Sequence, residues 1–139
     1  MNVFVTVVGI EIYVTKYFTG FCSCSLGSSD FHFINMKKTY NEAKSYCREM
    51  YTDLATVHSS DDMNELISAA KTERGWIGLE AENVSTWHWS QSDQNTNYSN
   101  WKRNQPKKTD ENACAAMNKS GEWLSYNCTR KRSFVCNGK

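Results

Sequence analysis

Proline is nearly absent from this chain, with one residue, Pro106, in 139, beside seven glycines. That excludes a collagen-like rod or a linker-dominated protein. No hydrophobic run is long enough to span a membrane, because the apolar stretch near the N-terminus is too short. An excess of one charge sign is also missing. The formal net charge is +1, so no global field argues for nucleic acid. The three histidines, His32, His58 and His88, stand apart from one another. No HExxH, nucleophile elbow or phosphate loop occurs, and Asp61-Asp62 reads as helix-start charge rather than an acid–base pair. Catalysis has little support, and the sequence reads as that of a non-enzyme. No CxxC is matched by a second CxxC or by HxxxH, which argues against structural zinc.

What is present begins with hydrophobic and aromatic content. Hydrophobic residues make up 40% of the chain and aromatics 13%, enough for one packed core. The length fits one domain. Six cysteines in so short a chain point to an oxidising compartment. Charge is unevenly placed. Residues 28–100 carry six Lys/Arg against eleven Asp/Glu, a net −5, and residues 101–139 carry nine against three, a net +6. This reads either as a dipolar domain with solvated faces or as a basic patch for an anionic ligand.

The N-terminal run Val3 to Ile10, extended by Ile12 to Val14, leads into the small residues Ser23 to Ser29. It reads as a secretory signal peptide over residues 1–27, ahead of a domain over 28–139. An ordinary first β-strand is the competing reading, since Val, Ile, Thr and Tyr favour strands. Glu11 and Lys16 interrupt the run, and no basic residue precedes it. Removing Cys22 and Cys24 leaves four cysteines, which suits two bridges. A bridge between those two would be strained.

Beyond it, Phe31 to Ile34 reads as a short strand. Thr39 and Glu42 form a capping box for a helix whose apolar stripe is Tyr40, Ala43, Cys47 and Met50. A second helix starts at Ser59 or Ser60, uses Met63, Leu66, Ile67 and Ala70 as its stripe, and runs to about Lys71. Trp76 to Leu79 and Trp87 to Trp89 suit strands. Residues 90–112 form a long polar loop, and such loops tend to be functional. Ala113 to Met117, Glu122 to Tyr126 and Ser133 to Cys136 suit further strands. Two helices followed by several short strands indicate an α+β domain.

Trp76-Ile77-Gly78-Leu79 resembles the WIGL motif of the C-type lectin-like family. Trp87-His88-Trp89-Ser90, Asn100-Trp101, Gln105-Pro106, Cys114, Gly121-Glu122-Trp123, Cys128 and Phe134-Val135-Cys136 resemble, in order, the rest of that pattern. The likeness covers about residues 30–137 and is similar to small secreted fish lectins. It implies two helices flanking small antiparallel sheets, a long loop, and the bridges Cys47–Cys136 and Cys114–Cys128. Cysteine count alone leaves three pairings open.

In calcium-binding members, the resemblance implies, long-loop oxygens hold an ion that coordinates sugar hydroxyls. Here Gln105 and Pro106 fit. Position 107 is Lys, which has donors only. Asn112 stands where Glu is expected, with Glu111 one residue off register. Leu124 and Ser125 replace Asn and Asp. Gln105, Glu111 and Asn112 are at best a degenerate metal set, so no cofactor is expected beyond weak calcium. The Gln105–Pro106 bond is left open between cis and trans.

The expected ligand surface is Lys102, Arg103, Gln105, Pro106, Lys107, Lys108, Glu111 and Asn112. Its cations, with Arg130-Lys131-Arg132, read either as solvated charge or as a surface for sulfated, sialylated or acidic microbial polymers. Trp101 and Tyr98 could stack on a sugar, although Trp101 fits better as an anchor for the loop. The expected function is a secreted, extracellular binding module for a glycan or protein ligand. Binding of nucleic acid and a stable membrane span are not expected. The alternative is an ice-binding protein of the same fold. Sequons at Asn83, Asn97, Asn118 and Asn127 are glycosylation candidates, the last expected to be near-buried.

Overall fold

The computed structural model describes residues 30–70, 74–83, 86–91, 96–107 and 112–138. The signal-peptide segment, Cys22, Cys24, Lys108 and Glu111 lie outside them. The elements run β1 (Phe31–Lys38), α1 (Tyr40–Met50), β2 (Asp53–Leu54), α2 (Ser60–Ala70), β3 (Gly75–Asn83), β4 (Thr86–Trp89), β5 (Ala113–Met117), β6 (Trp123–Asn127) and β7 (Arg132–Asn137).

Both helices start where their caps dictate. The Thr39 hydroxyl accepts the Glu42 amide at 3.3 Å, and the Glu42 carboxylate accepts the Thr39 amide at 3.0 Å. That hydrogen bond, with its backbone donor, holds the exposed Glu42 carboxyl below the usual carboxylate range. In α2, Ser59 is the cap, and its hydroxyl accepts the Asp62 amide at 3.2 Å. Tyr40, Ala43 and Cys47 are buried as the stripe requires. Met50 is not, and is 57% exposed, because the chain leaves the helix at Tyr51 and the stripe ends at Cys47.

The expected antiparallel strands join one sheet in the order β1-β7-β3-β5-β6, with β2 on β7 and β4 on β3. Among these strands β3 and β7 run parallel. Strand periodicity then sorts the core. Trp76, Ala116 and Phe134 face α1, packing with Tyr40, Ala43, Leu54 and Cys47. Their chain neighbours Ile77, Ala115 and Val135 face the other way, packing with Met63, Leu66 and Ala70 of α2. The sheet is therefore covered on both faces, and its central strands are apolar at successive positions rather than alternate ones.

The bridges are Cys47–Cys136 and Cys114–Cys128, separated by 89 and 14 residues. The first ties α1 to β7. The second closes the β5–β6 hairpin beside the long loop. Asp53, buried beneath the start of that loop, accepts from Ser90 Oγ at 2.9 Å and from its neighbour Leu54 N at 2.7 Å, and pairs with Arg48 Nε at 3.3 Å. Each acceptor on this buried carboxylate has a partner, as burial of a charge demands.

Candidate functional site

The long loop is fastened to β6 like an added strand. Trp123 N donates to Asn100 O and Lys102 N donates to Trp123 O, both at 2.9 Å, and Trp101 bridges Trp123 in parallel. Asn100 Nδ2 donates to Gly121 O at 2.8 Å. Trp101 packs at 4.8 Å from Trp87 and 5.8 Å from Trp123, ring centre to ring centre. It is a half-buried anchor, as its motif position suggests. Trp87, Tyr98, Trp101 and Thr96 line a cavity of about 490 Å³ beneath the loop. Burial there pushes the Tyr98 phenol up.

After Lys102 the chain turns back, with Gln105 N donating to Lys102 O at 2.9 Å. Asn104 takes φ 68°, a conformation that asparagine tolerates better than most residues. The Gln105–Pro106 bond is cis. Three hydrogen bonds then converge on Ser125. Its amide and its hydroxyl both donate to Gln105 Oε1 at 3.0 Å, and its Oγ accepts Lys107 N at 3.1 Å.

The structure thus brings Gln105 and Lys107 together around Ser125. Ser125, legible in the sequence only as a departure from the expected Asp, organises this part of the loop. Lys102, Arg103 and Lys107 are exposed, and Gln105 and Pro106 are half-buried. Asn112 is held elsewhere, its carbonyl accepting Cys128 N at 3.1 Å and its side chain exposed. Asn127 corrects an expectation: it is exposed, because the chain turns outward after β6 although Cys128 is bridged.

Calcium requires six to eight oxygens, largely carboxylate and carbonyl. The described residues do not fit it. Gln105 Oε1 already accepts two bonds from Ser125, position 107 carries a cation, and Leu124 has no side-chain oxygen. Among the described residues, no three His, Cys, Asp or Glu side chains are grouped to hold a metal ion. None of the helices described is long and apolar enough to cross a membrane.

Comparison with known proteins gives this geometry its context. The chicken hepatic lectin is 30% identical over 124 residues, covering 87% of this chain and 56% of that protein. The chain therefore spans little more than half the length of that relative. Human lithostathine superposes with a TM-score of 0.72 at 25% identity, covering 78% of this chain and 90% of that structure. A calcium-independent type II antifreeze protein superposes with a TM-score of 0.70 at 20% identity, covering 77% and 83%, which speaks to fold alone. The Lectin C-type domain family matches residues 36–138. With that match, two helices, a mixed sheet and both bridges in place, the chain belongs to the C-type lectin domain family of non-enzymatic binding proteins.

Proposed function

We propose that this domain recognises a glycan at its long loop without calcium, and that anionic glycans are its preferred ligands. The observation that carries the reading is the hydrogen-bonded link from Gln105 through Ser125 to Lys107. A calcium ion would have to take Gln105 Oε1 from two donors and then sit beside a lysine. The exposed cations Lys102, Arg103 and Lys107 instead offer donors to sulfate and carboxylate groups. Lys108 and Glu111, outside the described residues, and Asn112 are candidates for the same ligand by sequence position alone. Paired cysteines fit an extracellular, secreted protein. An ice-binding face would need a planar polar array, and exposed lysines break planarity.

A glycan array run with and without EDTA, at several salt concentrations, tests this. Anionic glycans should bind equally in EDTA and more weakly as salt rises. Binding abolished by EDTA, or indifferent to salt, would contradict the reading, and a blank array would point to a protein ligand.

A further inference from the structure

A second basic face is assembled from segments far apart in sequence. Arg74, just before β3, donates from Nη1 to the Tyr126 hydroxyl at 2.9 Å across 52 positions. The Arg132 guanidinium lies 3.7 Å from the centre of the same ring and 5.6 Å from that of Trp76. Tyr126 is thereby bracketed by two arginines. Burial holds the Arg132 guanidinium below the usual arginine range; Tyr126 opposes this, and the charges of Arg130 and Arg74 add to it. Arg132 Nε is buried with no hydrogen-bond partner. Among the described residues no carboxylate pairs with Arg74, Arg130 or Arg132. On its other side Arg74 joins Lys102 and Lys119 along a groove of about 380 Å³. The groove's acid, Glu122, accepts Asn118 Nδ2 at 3.1 Å.

An excess of cations over the single acid Glu122 on one face raises the energy of the free protein, and a polyanion relieves that cost. We propose that the face of Arg74, Lys119, Arg130 and Arg132, with Lys102 at its edge, is a second ligand surface that takes a sulfated linear polysaccharide. Guanidinium forks match sulfate oxygens, and charges spread along a polymer match cations spread from the groove to Arg130. Single-stranded nucleic acid fits less well. It binds by stacking bases on free aromatic faces, and the aromatic here, Tyr126, is already covered by Arg132.

This inference is independent of the long-loop reading, and Lys102, which borders both surfaces, is left out of its test. Binding of a fully sulfated heparin oligosaccharide to the full chain is measured by fluorescence anisotropy. Arg74→Gln and Arg130→Gln, both at exposed positions, should each weaken it by about tenfold, the size of one charge-assisted hydrogen bond. Lys119→Gln should weaken it less. In an Arg103→Gln, Lys107→Gln background, which weakens the long-loop surface, Arg74→Gln and Arg130→Gln should each still lower the remaining heparin affinity by about tenfold. Retained affinity in Arg74→Gln and Arg130→Gln overturns the proposal. So does equal affinity for a single-stranded DNA through the same two arginines. Loss only in the long-loop variants would move the polyanion to the other surface. Circular dichroism of each variant identifies any loss due to misfolding, and Arg74→Lys, which keeps the charge, should restore part of the affinity.

Discussion

Ser125 holds the long loop through donors and an acceptor that have no substitute nearby. Changing Ser125→Ala removes the bond from its hydroxyl to Gln105 Oε1 and orphans the Lys107 amide. The expected loss is about 1–2 kcal/mol in urea unfolding, with faster amide exchange over residues 102–107 than in the rest of the domain. Gly78 makes a different demand. Its amide donates to Ala55 O at 2.8 Å and its carbonyl accepts Ser90 N at 2.6 Å. A Cβ there would stand 2.9 Å from Ala55 O and 3.0 Å from Leu54 O, both backbone atoms that cannot swing aside. Gly78→Ala should therefore cost about 1–3 kcal/mol, read as a lower denaturant midpoint at an unchanged slope. The motif Trp76-Ile77-Gly78-Leu79 thus has a local cause. Its large residues alternate between two cores, and its glycine lets the chain carrying Ala55 and Leu54 lie against β3.

At the scale of elements, the legible features were those written in local periodicity. The Thr39–Glu42 capping box fixed the start of α1, and the Met63, Leu66, Ala70 stripe placed α2 on its core. Strand ends were less legible. β1 reaches Lys38 rather than Ile34 because its partner β7 extends the pairing to Arg132. The two-residue β2 has no periodicity to read and exists only because β7 offers an edge to Asp53 and Leu54. Ser125, Arg74 and Tyr126 were illegible for the same reason, since pairing across the sheet or across 52 positions leaves no local pattern. The bridges act at this scale too. In the chain-entropy model, Cys47–Cys136 restrains the unfolded chain by about 4–5 kcal/mol and Cys114–Cys128 by about 3 kcal/mol. Replacing both members of the first pair with alanine should unfold the domain at physiological temperature. Replacing both members of the second should leave it folded with a lower melting temperature, as thermal circular dichroism would show. The reverse order would contradict the topology, in which the first bridge alone ties a helix to the central strand β7.

For the whole molecule, the two covered faces of the sheet leave function to loops and edges. The acidic half of the sequence, residues 28–100, builds both helices, while the basic half, residues 101–139, supplies most of the loop and edge cations. Arg74 is the cation that the first half lends to the second. In the proposed reading, the hydrogen bonds linking Gln105, Ser125 and Lys107 stand where an ion would bind, and ligand recognition falls to those cations. Calcium titration of the full chain by calorimetry tests this most directly. The account predicts no saturable heat at calcium concentrations up to the order of millimolar, the range of extracellular calcium modules, and glycan binding that is the same before and after the titration. One ion bound per chain in that range would contradict it.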